Sequence, residues 1–216
     1  MSLTAEQIEK NWLKYLKIVD AFITGERKDQ LTNMYDDLSE EMIVAPASGK
    51  LSFHNAFAGG YIDHVIRVVQ CSLKTKDLWQ GMGVEIDFTD EELVFAALNH
   101  DIGKIGYKNQ PNYIPQTDKW RQDKLGEVYS YNTELPFMLI QDRSLFLLQH
   151  YGIKLTEKEY LGIKLHDGMY DDTNKPYYIT FNPEAKLRTN LVYILHQGDF
   201  LASKIEYDTY RQTIKK

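Results

Sequence analysis

The chain has 216 residues, 43% of them hydrophobic, with a formal net charge of −6 at pH 7. That length supports a sizeable core in one domain, and the apolar share excludes a disordered chain. The acidic balance argues against a long nucleic-acid duplex as partner, but not against a small phosphorylated ligand held by one local basic cluster.

In chain order, Thr4 with Gln7 three residues on makes a capping box. Ile8, Trp12, Tyr15, Val19 and Phe22 follow at helical spacing, which predicts an amphipathic helix over 4–24 ending near Gly25. A polar helix is expected over 26–41, and 42–52, with Pro46 and Gly49, reads as a loop.

Residues 53–80 form the next helical stretch. In it Gly59 and Gly60 each disfavour helix by about 1 kcal/mol relative to Ala, and mark either a close backbone approach or a break. Ile62, Val65, Ile66, Val69 and Leu73 make an apolar stripe with His64 beside it. Alone, His64 reads as a core histidine with a local partner. Cys71 is the only cysteine, so an intrachain disulfide is excluded and a reducing compartment fits.

Asp90 is a good N-cap, and Glu91 and Glu92 suit the positive end of a helix dipole. Leu93 to Leu98 is apolar all round, so this helix should be buried. Yet it ends in Asn99-His100-Asp101, with Gly103 as a helix stop. A buried imidazole and carboxylate must be paired or metal-bound. A His-Asp pair alone is weak evidence, because a local capping pair looks the same and the chain has a second, His166-Asp167.

Residues 105–135 are the least regular, with Tyr107, Tyr113, Trp120, Tyr129 and Tyr131 among Pro, Asn and Gly. So long a segment is either functional or a surface connection whose aromatics pack down. Helix returns from Pro136 to Tyr151, and again from Thr156, which makes a capping box with Glu159, to His166. Residues 171–183 are a turn-rich connection. A last helix is expected from Glu184 to Tyr207, with a stripe of Leu187, Leu191, Ile194, Leu201 and Ile205, and Asp199 inside it. No period-two run is long enough for a sheet, so the class is all-α. Nothing approaches a membrane span or a secretory leader, and a cytoplasmic protein is expected.

Three helices thus carry His64, His100-Asp101 and Asp199 where their neighbours are apolar. Imidazoles and carboxylates converging in a helical core suit an octahedral divalent metal such as Mn²⁺, Fe²⁺, Co²⁺ or Mg²⁺ better than a structural zinc site.

The order His, His-Asp, Asp on successive helices resembles the HD-domain metal-dependent phosphohydrolases. Phe-His-Asn-Ala-Phe-Ala-Gly-Gly-Tyr-Ile-Asp-His (53–64) is similar to the family's segment around its first ligand. Asn-His-Asp-Ile-Gly-Lys (99–104) is similar to the second, and Leu-His-Gln-Gly-Asp-Phe-Leu-Ala-Ser-Lys-Ile-Glu (195–206) to the last. The resemblance covers roughly 50–207. It divides the chain into an N-terminal helical segment, 1–49, packed on a core, 50–216, in one globular unit.

The resemblance implies an HD-like helical bundle. It also implies a divalent metal (Mn, Fe, Co, Ni or Mg) on His64, His100, Asp101 and Asp199. Relatives with a second metal carry a histidine where Ile140 stands, in a segment here reading Ile140-Gln141-Asp142-Arg143-Ser144. Their next histidine does match His166, in Ile163-Lys164-Leu165-His166-Asp167-Gly168. One tightly held metal is therefore expected, with room for a weak second.

The expected activity is hydrolysis of a nucleotide or related small phosphoester by metal-activated water. Asp101 would bridge to the water or take its proton, Lys104 would neutralise phosphate, and His166 would serve substrate or water. His54 and Arg143 are candidate phosphate contacts, or else core packing and surface charge. Trp120 or Tyr113 would stack on a base if 105–135 closes over the site. The alternatives are a nucleotide-sensing module without turnover and an exonuclease or phosphodiesterase on short oligonucleotides. An oxygen-activating di-iron protein ranks below them, since no Glu-x-x-His is present.

Overall fold

The structure is a computed structural model and describes residues 2–214. Thr4 caps helix α1 (Ala5–Phe22) by the reciprocal bonds its sequence promises, accepting from the Gln7 amide while the Gln7 side chain accepts from Thr4. α2 (Gly25–Asp37) and α3 (Ser39–Val44) replace the single helix expected over 26–41. The break at Leu38 has a local cause. The Ser39 hydroxyl donates to the Asp36 carbonyl and competes with the helix ladder there.

α4 (Gly60–Gly81) begins later than the expected 53. Gly59 sits at φ +81°, and a Cβ on Gly60 would run into the Asn55 carbonyl oxygen. The glycine pair therefore lets 53–59 fold back as a turn over the helix start. α5 (Asp90–Asn99) is capped by Thr89 rather than Asp90, since the Thr89 hydroxyl accepts from the Glu92 amide and the Glu92 carboxylate accepts from Thr89 N–H. Leu93 to Asn99 are all buried, as the apolar run requires.

A 3-10 turn, Ile102–Ile105, follows His100 and Asp101. Gly103 is not a left-handed helix stop. A Cβ there would run into the Ile140 carbonyl oxygen, so its small size admits the neighbouring helix instead.

Residues 105–135 are more ordered than expected. Strand β1 (Gly106–Tyr107) pairs antiparallel with β2 (Gln110–Pro111). β3 (Tyr113–Pro115) pairs antiparallel with β4 (Tyr129–Tyr131), Tyr113 opposite Tyr131, with α6 (Lys119–Leu125) between them. Strands this short carry no readable period, so the all-α expectation holds in the coarse sense of a mostly helical chain with two small sheets.

α7 (Ile140–His150) starts after Pro136, and α8 (Glu157–Leu165) has the expected Thr156–Glu159 capping box. The 171–183 connection holds a 3-10 turn, Asp172–Asn174, and a short helix, α9 (Lys175–Tyr178). α10 (Leu191–Ile214) starts later than the expected Glu184. The reason is that the Asn182 and Thr189 side chains take the Glu184 and Leu191 amides as turns. Its buried face is Leu191, Ile194, Leu195 and Ala202, while Leu201 and Ile205 are exposed, contrary to the expected stripe.

α4 is the central helix, packed on by α1, α3, α5 and α10, and α8 fills the space between α5 and α10. Side chains from α1–α3 belong to the same hydrophobic cluster as those of α4, α5 and α10. α4 and α10 pack tightly at Gly198, where a Cβ would strike Ser72. There the middle of α10 crosses the middle of α4, and the next residue, Asp199, reaches back to His64 near the start of α4. Among the described residues no helix is long and apolar enough to cross a membrane.

Candidate metal centre

Each imidazole of the site is held by one nitrogen and presents the other. His100, just past the end of α5, donates from Nδ1 to the Ala97 carbonyl at 2.8 Å, and His166, just past α8, to Ile163 O at 2.8 Å. His64, on α4, has Nδ1 3.0 Å from Glu206 Oε2. In every case Nε2 faces the carboxylate of Asp101; those of His64 and His100 also face Asp199, and that of His166 faces Asp167. The Nε2 atoms of His64 and His100 are buried and have no hydrogen-bond partner of their own.

The donor atoms lie close together. His64 Nε2 is 3.1 Å from Asp199 Oδ1 and 3.7 Å from Asp101 Oδ2. His100 Nε2 is 3.3 Å from Asp101 Oδ2 and 4.0 Å from Asp199 Oδ1, and His166 Nε2 is 3.5 Å from Asp101 Oδ1. Ligands about 2.1 Å from a common octahedral ion stand roughly 3.0 Å apart when adjacent and about 4.2 Å apart when opposite. The observed separations match, and the two orphaned nitrogens are what such an ion would satisfy. The donor set of neutral imidazoles and carboxylates fits a divalent cation.

Charge balance points the same way. Burial opposes protonation of His64, but Glu206 and Asp199 override it and push its pKa up to about 10. Burial likewise opposes charge on His166, yet Asp167 and Asp101 push it up to about 10. Burial opposes ionisation of Asp101, but Lys104 and His100 hold it well below the usual carboxylate range. Asp199 is held low in the same manner, by His64 first. The buried carboxylates thus demand positive charge among the imidazoles, and a cation supplies it at one centre.

Asp101 is the member of this cluster that reaches a cavity of about 1050 Å³. His54, Lys104, Tyr113, Tyr131 and Ile140 share that cavity wall. Lys104 Nζ lies 2.6 Å from Asp101 Oδ2; burial disfavours its charge, but Asp101 more than restores it. His54 packs its ring 4.5 Å from that of His64, and its Nε2 has no partner. Burial first, then His64 and Lys104, depress its pKa well below the usual value, so the imidazole is neutral. The turn bearing it is tied to α4 through Asn55 Nδ2, which donates to Asp63 Oδ2 at 3.0 Å.

The expected residues fall into groups. His64, His100, Asp101 and Asp199 are brought together, with His166 as a fifth donor deeper than expected, its ring nitrogen on Asp101 rather than on the cavity. Lys104 and His54 line the cavity. Arg143 does not, since it lies behind the wall, facing a neighbouring cavity. Trp120 is 61% exposed on α6 and is not part of the wall. The 105–135 segment contributes instead through Tyr113 and Tyr131, whose rings stack at 5.3 Å.

The residue that sequence reasoning missed is Glu206, buried and bonded to both His64 Nδ1 and Arg67 Nε, the latter at 3.1 Å. Its signal was its position about two helical turns past Asp199, on the same face of α10. No family model, no curated protein and no solved structure matches the chain.

Proposed function

We propose that the chain is a metal-dependent phosphohydrolase of the HD-domain type, acting on a nucleotide or a related small phosphoester. The observation that carries this reading is a buried group in which the Nε2 atoms of His64 and His100 each lie within 4.0 Å of carboxylate oxygens of Asp101 and Asp199, opening through Asp101 onto a cavity with a lysine in its wall. The order of these residues in the chain, and the motifs around them, add the family resemblance.

His64, His100, Asp101 and Asp199 would hold one divalent metal, with His166 beside them. When bound, that ion supplies a lowered pKa for a coordinated water and polarisation of a phosphoryl oxygen. Asp101, reaching both cluster and cavity, takes up the proton that a water nucleophile releases. Lys104 places a positive charge where the phosphoryl oxygens gain charge. Neutral His54, with its free Nε2, is a hydrogen-bond partner for substrate at the same wall. Tyr113 and Tyr131 offer an aromatic surface to the leaving group or base.

Asp101→Asn tests the assignment. It preserves shape and removes a negative ligand and proton acceptor. The expected result is at least a hundredfold loss of divalent-metal affinity and of phosphoester hydrolysis, with an unchanged far-UV circular dichroism spectrum. Near-normal turnover of the variant with metal supplied would reject this mechanism.

A further inference from the structure

Arg143, in the first turn of α7, is a buried cation that the metal centre does not use. It is 2% exposed, and its hydrogen bonds go to neutral acceptors. Nη1 donates to Asn112 Oδ1, Nη2 donates to the Pro136 carbonyl at 3.0 Å, and the guanidinium lies 5.7 Å from the centre of the Tyr107 ring. Arg143 Nε has no partner, and neither has Nδ2 of Asn112, itself 4% exposed. A buried guanidinium without a counter-charge, beside a second orphaned donor, is an expensive arrangement.

Both side chains line a cavity of about 470 Å³ between Asn112, the 132–139 connection and α7. It shares Tyr131, Leu139 and Ile140 with the metal-side cavity, so these residues stand between the two. Leu135, Pro136 and Met138 give its wall an apolar stretch beside the polar Asn132 and Thr133, and Phe137, also lining it, is 91% exposed. The volume is in the range of small-molecule sites, and one cationic fork with a few polar groups in a largely apolar wall is how such sites fix orientation.

We propose that this cavity is a second binding site, for a small organic anion. A carboxylate or phosphate group meets Arg143 Nε and Asn112 Nδ2, and an apolar or aromatic body lies against Leu135 and Phe137. The ligand supplies the missing counter-charge, saturates both orphaned donors and covers the exposed phenylalanine. The site goes beyond the phosphohydrolase reading and does not rest on it.

The test uses chelator-treated full-length protein, so that binding is read apart from hydrolysis. Phenyl phosphate, benzoate and uncharged benzamide are titrated while the arginine Nε–H resonances are followed by NMR. The Arg143 signal is assigned by its loss in Arg143→Lys. The expected result is a saturable shift of that signal with phenyl phosphate, benzoate or both, and none with benzamide; the responding anion identifies the headgroup. Phe137→Asp, at an exposed position that the fold does not need, should weaken anion binding at least tenfold. Should Arg143→Lys fail to fold, the anion affinities of the wild type and Phe137→Asp are compared by calorimetric titration, and the tenfold loss still decides. The proposal is overturned if neither anion shifts the Arg143 signal, if benzamide binds as well, if Phe137→Asp binds like the wild type, or if the anions perturb only the Lys104 side of the wall.

Discussion

At His64 the nitrogen offered to the cluster is decided by what holds the other one. His100 and His166 each spend Nδ1 on a backbone carbonyl, whereas His64 spends it on Glu206, which Arg67 holds in turn. A carboxylate in that place fixes the tautomer and raises the basicity of Nε2, and loss of such a partner typically costs about 10–100-fold in metal affinity. Glu206→Ala is therefore expected to weaken divalent-metal binding by about that factor in calorimetric titration, and Glu206→Gln, which retains an acceptor, by less. Unchanged affinity in Glu206→Ala would remove the positioning role. Residues of the cluster were legible in sequence where a polar side chain interrupted an apolar run, as at His64, His100 and Asp101. Glu206 was not, because its neighbours Ile205 and Tyr207 continue a mixed, half-exposed stretch that looks like any helix surface. Trp120 was misplaced for a related reason: composition shows that a segment is aromatic, not which way each ring points.

Among the elements, the α4–α10 contact sets the site, since it brings His64 to Asp199. Gly198 allows it, and any side chain there meets Ser72. Gly198→Ala should destabilise the protein by about 1–3 kcal/mol through overpacking, read as a lower denaturant midpoint, and should also weaken metal binding as the helices part. A variant as stable as the wild type, with wild-type metal affinity, would show that α4 and α10 do not need this approach. The β3–β4 hairpin carries a second expectation. Tyr113→Ala should raise KM several-fold, while Trp120→Ala leaves it unchanged; the reverse order would put the substrate on the α6 side. Element identity was largely readable because caps and apolar spacing are local, as at Thr4 and Thr156. Helix starts at 53 and 184 were misread because turns compete with the helix there: the Asn55 turn against Gly60, and the side chains of Asn182 and Thr189, which take amides two residues on.

For the whole molecule, a cation bound by the native cluster and not by the unfolded chain must stabilise the fold. At a free metal concentration of 100 times Kd the gain is about 2.7 kcal/mol, or roughly 5–10 °C in Tm for a chain of this size. Asp101→Asn should show little of that rise in a thermal melt, and an equal rise in both proteins would place the metal elsewhere. The most direct measurement follows hydrolysis of a panel of nucleoside mono-, di-, tri- and cyclic phosphates by chromatography of the products. It compares protein loaded with Mn²⁺, Co²⁺ or Mg²⁺, chelator-treated protein and Asp101→Asn. Metal-dependent hydrolysis of at least one nucleotide is expected, lost on chelation and in the variant. Stoichiometric metal binding at the cluster with no hydrolysis of any of them would contradict it, and would leave a binding module in place of an enzyme.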